Sequence, residues 1–249
     1  MYKLIHDCEQ IKRFDELFLP NENHLAINLS LVARKKYAPD LPDSVYILSR
    51  VIVGGDQNRN KAAAHLHRYI LRLETPYGSY VDKNDQPISN DALALYAFID
   101  PKDTVKALSA TLNECVEKMS NGESVPNAFN LYKDQINKSK APPTAEQYRQ
   151  IDLDTKDSKH IETVKELLVK TGVKVLMAVE TRGGYHLVYK PDRSINNKLL
   201  YEFKETTKFE TLDRNGKPVK DHWFSITNSP MVIVPGTYQG GFKTLIVEW

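Results

Sequence analysis

Apolar residues recur along this chain with two different periods, and the switches between them mark its elements. Ile11, Phe14, Leu17 and Phe18 recur within residues 9–19 at the spacing of a short amphipathic helix. Leu25, Ile27, Leu29 and Leu31 then alternate with Ala26, Asn28 and Ser30, which predicts a strand ending in the basic run Arg34-Lys35-Lys36-Tyr37. Pro39 and Pro42 break the pattern before an apolar, β-branched stretch over 45–53, interrupted by Arg50 and stopped by Gly54-Gly55. From Arg59 to Leu73 the residues Ala63, Leu66, Tyr69, Ile70 and Leu73 return to the helical period. His65 and His67, two apart on that helix, face different directions and make a poor chelate. Residues 93–99 read as a buried strand, and Asp103 as the N-cap of a helix over 104–120 that ends at Asn121-Gly122. On that helix Val105, Leu108, Leu112, Cys115 or Val116, and Met119 read as the stripe that faces the core. A short helix over 129–136 and the linker Lys138-Ser139-Lys140-Ala141-Pro142-Pro143-Thr144 close the first half.

The second half is more compact. Gln150-Ile151-Asp152-Leu153-Asp154 predicts a strand, 160–171 a helix stopped by Gly172, and 173–179 a strand. Thr181-Arg182-Gly183-Gly184 forms a tight hairpin to the returning strand 185–189. A helix over 195–203 follows, and a last strand comes from Phe224-Ser225-Ile226 or from Met231-Val232-Ile233-Val234. The order β-α-β-β-α-β predicts an α+β fold with an RRM-like, or ferredoxin-like, sheet. The expected division is an N-terminal α/β module over 1–143 packed against that sheet in 144–249. Pro235 to Lys243 adds a glycine-rich hairpin whose Tyr238 and Phe242 are suited to base stacking.

Composition narrows the class. With 249 residues, 41% hydrophobic and 27% charged, this is the make-up of an ordinary soluble globular protein, and no apolar stretch approaches the roughly 20 residues that span a bilayer. No membrane partner is expected. Two cysteines, Cys8 and Cys115, are too few for a disulfide framework or a zinc ribbon. The first residues lack the basic and apolar regions of a secretory signal, so the expected compartment is the cytoplasm. A net charge of +2 does not advertise nucleic-acid binding, so any polyanion must be held by local clusters of cations.

The candidate chemistry lies in Asp152 and Asp154. Residues two apart on a strand share a face, so their carboxylates stand side by side while Ile151 and Leu153 turn to the core. Such a pair repels itself unless a cation sits between, and hard oxygen donors suit Mg²⁺ or Mn²⁺ bound to substrate phosphates. Lys36, Arg50, Lys102 and Lys190 fall near strand ends, where cations neutralise phosphates. Arg50 is preferred, because it interrupts an apolar strand and a buried cation needs an anion.

Ile151-Asp152-Leu153-Asp154, followed at a helix-plus-strand distance by Gly184-Tyr185-His186, resembles the first two motifs of the archaeo-eukaryotic primase superfamily. The resemblance covers roughly the second half of the chain. It implies that Asp152 and Asp154 ligate divalent metals and that His186 contacts the triphosphate, with Thr181, Arg182, Gly183 and Gly184 in support. The implied activity is that of a primase-polymerase in DNA replication. Such an enzyme joins nucleoside triphosphates on single-stranded or primed nucleic acid by a two-metal nucleotidyl transfer. The layout is also similar to that of phage-encoded proteins, which implies a viral source. The family's third acid should come from a later strand, where this sequence offers Asn228; Asp221 and Asp213 are the substitutes, Asp221 being the better because Asp213 lies in a turn-forming stretch. Two other readings stay open. One is a metal-dependent nuclease or phosphoesterase using the same residues, and the other is a primase-like protein that binds nucleotide or RNA without catalysis.

Overall fold

The structure, a computed structural model, describes residues 1–54, 66–125, 127–142, 145–212, 218–228 and 230–249. Asp7 caps helix α1 (Cys8–Phe18) by accepting from the amides of Glu9 and Gln10, and the helix buries Ile11, Phe14 and Phe18. Strand β1 (Leu25–Ala33) is buried at every position, so it is covered on both faces where its alternation predicts one. Of its polar residues, Asn28 accepts at Oδ1 from Ser49 Oγ of the next strand at 2.8 Å. β1 pairs antiparallel with β2 (Val45–Val53) on one side and with β3 (Leu93–Asp103) on the other. The first half of the predicted helix 59–73, including Arg59 and His65, lies outside the described residues; 66–71 is helical and buries Leu66 and Ile70.

Helix α2 (Thr104–Ser120) begins where the sequence predicts, with Asp103 Oδ1 accepting from Lys106 N at 2.9 Å. Its expected core stripe is overturned. Val105, Leu108, Leu112, Val116 and Met119 are 51–68% exposed, Cys115 is half-buried, and the residues turned inward are Ala107 and Thr111. The helix packs by its polar side against α3 (Ala128–Lys138), where Gln135 Nε2 donates to Glu114 Oε2 at 2.9 Å. Periodicity marks the stripe but does not say which side meets the protein.

The second half forms an antiparallel sheet and its covering helices. These are β4 (Arg149–Leu153), α4 (Ser158–Thr171), β5 (Val175–Glu180), β6 (Tyr185–Tyr189) and α5 (Asn197–Thr206), then a separate hairpin of β7 (Lys208–Leu212) and β8 (Pro218–His222), then β9 (Phe224–Thr227). Gly172, in the left-handed region at φ 77°, terminates α4 as expected. The strand order is β5-β6-β4-β9, and all neighbours are antiparallel. The molecule is thus an α+β protein built on antiparallel sheets. Ile151, Leu153, Leu187 and Phe224 pack on one face with Val164, Leu168 and Leu200 of the helices.

Of the two candidate last strands, only the one at Phe224 closes this sheet. β10 (Met231–Ile233) and the hairpin of β11 (Tyr238–Gln239) and β12 (Phe242–Lys243) return to the first sheet, β10 and β11 pairing with β3. β13 (Leu245–Val247) then adds to the free edge of β5. The other face of the second sheet, with Tyr148, Met177, Val179 and Val188, joins the core of the first sheet. One apolar core therefore runs between the two sheets. Among the described residues, no helix is long and apolar enough to cross a membrane.

Candidate functional site

The central strand of the second sheet sets the site. Asp152 lies on β4 directly opposite His186 of β6 on one side and Ser225 of β9 on the other, and directly opposed residues share a face. That face is the one turned to the first sheet. Asp154 follows just past the strand, where its amide donates to Trp223 O at 2.9 Å and so continues the ladder. The i, i+2 spacing brings the two carboxylates near each other, as the sequence predicts, and the fold sets them at one end of the seam between the sheets, which the sequence does not predict.

The charges there come from both sheets. Burial raises the pKa of Asp152 to about 6, while the Lys36 and Arg34 cations pull it back. Asp154 is also raised, by burial and by Asp152, with Lys36 and His186 opposing and Asp221 adding to the rise. Burial pushes His186 down to about 4, Asp154 working against this and Lys36 and Arg34 adding to it. At neutral pH the imidazole is uncharged. Ile233 N donates to its Nδ1 at 3.3 Å, so the proton sits on Nε2, which stands 3.5 Å from Asp152 Oδ1. This is a polar contact of a neutral ring and not an ion pair.

The glycine hairpin is fitted against the end of β4. A methyl at Gly184 would fall 1.7 Å from Leu153 O, so only glycine is accommodated, and one at Gly183 would meet Asp154 Oδ1 at 3.4 Å. Gly184 N donates to Thr181 Oγ1 at 3.1 Å and Thr181 N to Gly184 O at 2.9 Å, so these expected phosphate contacts hold the turn itself. Arg182 is likewise engaged. Its amide donates to Gln239 Oε1 at 2.7 Å, its Nη1 to Gly240 O at 3.0 Å, and its guanidinium lies 5.2 Å from the centre of the Tyr37 ring.

Other expected residues fall elsewhere. Arg50 lies on β2 opposite Leu29, its side chain outside the described residues, as is Asp213 altogether. Asp221 is exposed on β8. Asn228 stands past the end of β9, and the residue of β9 directly across from Asp152 is Ser225. Asn228 instead lines a cavity of about 260 Å³ with Asp100, Lys102, Lys140 and Arg149, at the opposite end of β4 from the carboxylate pair. Lys190 pairs with Glu146 beside that cavity. Phe242 of the glycine-rich hairpin is covered by the Lys156 ammonium, 4.2 Å from its ring centre.

The residues that sequence reasoning missed are Arg34, Tyr37, Tyr96 and Gln239. Arg34 lies over the Tyr96 ring at 5.7 Å, Tyr37 and Tyr96 hydroxyls meet at 3.4 Å, and Gln239 Nε2 donates to the Tyr96 hydroxyl at 3.4 Å. The signal for Arg34 was present in the basic end of its strand; the other three have none in the local sequence. Among the described residues, no group of three or more His, Cys, Asp or Glu side chains is gathered as a ready-made metal site. No family model, no curated protein and no solved structure matches this chain.

Proposed function

We propose that this chain is a nucleotidyltransferase of the primase-polymerase kind, which binds a nucleoside triphosphate with Mg²⁺ or Mn²⁺ and joins it to a single-stranded or primed nucleic acid. The observation that carries this reading is the placement of Asp152 and Asp154, with the His186 imidazole, opposite Arg34 and Lys36 of the other sheet. The strand order β5-β6-β4-β9, with helices after the first and third of its strands in chain order, supports an RRM-like catalytic module.

The donors suit a hard divalent cation. Both carboxylates have raised pKa values, Asp152 because burial penalises its charge and Asp154 because burial and the neighbouring Asp152 do, which is the cost a bound cation relieves. Mg²⁺ takes one or two carboxylates and completes its sphere with water and substrate phosphates, so a pre-assembled cluster of three is not needed. When bound, such a cation supplies charge neutralisation and a lowered pKa for the attacking hydroxyl. Lys36 and Arg34 hold phosphate charge from the facing sheet, and the neutral His186 donates its Nε2 proton toward the same space. Burial keeps that donor in one tautomer, because the Ile233 amide occupies Nδ1.

Ser225 favours a second reading, in which the site binds nucleotide without transfer. It stands across from Asp152 where a third carboxylate would complete the metal site, and Asp221 acts on Asp154 only from an exposed hairpin. The test is incubation with Mn²⁺ or Mg²⁺, labelled nucleoside triphosphates, and primed or unprimed single strands. Metal-dependent extension is expected, falling by about 100-fold or more in Asp152→Asn and Asp154→Asn. Bound nucleotide without extension selects the second reading, shortened template selects a nuclease, and neither binding nor turnover removes all three.

A further inference from the structure

Helix α2 is turned inside out. Ala107 and Thr111 face the protein and Glu114 bonds to Gln135, while the outer side carries Val105, Leu108, Leu112, Val116 and Met119, all at least half exposed. At about 100° per residue these five lie within roughly 80° of one another, a continuous seam along the whole helix. Together they offer on the order of 500 Å² of apolar side chain, as much as the largest patch of a typical monomer, and such patches are often interaction sites.

We propose that α2 pairs antiparallel with α2 of a second copy of this chain, about a two-fold axis at Leu112. The seam reads the same in both directions from that residue. Leu108 and Val116 lie four residues to either side, and Val105 and Met119 lie seven to either side. A two-fold axis therefore sets Leu112 on Leu112, Leu108 on Val116 and Val105 on Met119, the self-complementary match of a symmetric dimer. The residues bordering the seam on one side are the small polar Ser109, Asn113 and Ser120, which bring no like charges into the contact. The area also suffices, because two such faces bury about 1,000 Å² before the rim is included, the lower bound of a specific interface. The candidate nucleotide site lies on other elements.

Sedimentation and light scattering on the full chain at tens of micromolar test this, and a dimer is expected. Leu112→Glu should give a folded monomer that still unfolds cooperatively, with a melting temperature that no longer rises with protein concentration, since that side chain is 56% exposed. With Cys8 and Cys115 replaced by Ser, Leu112→Cys should form an inter-copy disulfide under mild oxidation. A wild-type monomer overturns the proposal, as does a dimer that survives both Leu112→Glu and Val116→Lys. A dimer in which Leu112→Cys fails to cross-link overturns the two-fold arrangement.

Discussion

Asp15 shows what burial does to a single charge here. It sits on α1 at 3% exposure, its Oδ1 has no hydrogen-bond partner among the described residues, and burial with the neighbouring Glu16 raises its pKa to about 8. In the unfolded chain the same carboxyl ionises near its ordinary value of about 4. Between those two values the folded state holds the extra proton, so stability falls as pH rises, by up to about 1.4 kcal/mol per unit. Above about pH 8 both states are ionised and the fall stops. Asp15→Asn should therefore match the wild type near pH 4 and be the more stable protein at pH 8, as read by urea denaturation across that range. An equal slope in both proteins would remove the assignment. His186 is the mirror case, where burial keeps a base neutral and so keeps its Nδ1 an acceptor for the Ile233 amide.

At the scale of elements, His186 joins two strands as well as lining the site. β10 pairs with β3, and Ile233 N donates to His186 Nδ1, so one imidazole ties the first sheet to β6 of the second. Removing that acceptor leaves a buried amide unpaired, at a cost of roughly 1–3 kcal/mol. His186→Ala should be destabilised by that amount, whereas His186→Asn, whose amide oxygen takes the place of Nδ1, should recover most of the melting temperature. Both should lose nucleotide binding if the Nε2 donor is needed; equal melting of all three proteins would deny the tie. Elements of this kind were legible wherever the signal is local. Asp103 as a cap, Gly172 as a stop, the Gly183-Gly184 hairpin and the Asp152–Asp154 spacing all appear where the chain announces them. What local pattern does not carry is the identity of a partner. The period of α2 marks its stripe without its orientation, and Met231–Ile233 reads as a strand without naming β3. Arg34 and Lys36 become site residues only because β1 ends beside β4. Arg182 is held by the carbonyl of Gly240, 58 residues later, a partner that nothing in its local sequence names.

The whole molecule depends on that crossing of the chain between sheets, so its two halves are not separable. Residues 1–143 alone would leave the β3 edge without β10 and β11 and expose the core that Val232, Ile233 and Val234 complete. Residues 144–249 alone would bare Tyr148, Met177, Val179 and Val188, and leave β10 and the β11–β12 hairpin without β3 to pair against. Both faces of a sheet must be covered when both are apolar, and neither half has the means to cover its own. Expressed separately, each fragment should lack a cooperative thermal transition, while the two expressed together should associate and regain one. Cooperative unfolding of either fragment by itself would contradict this. The same cut also divides the site, parting Arg34 and Lys36 from Asp152, Asp154 and His186. Nucleotide binding should then return only in the reassembled pair, and in step with the recovered melting transition, because the seam that joins the sheets is also where the charges meet.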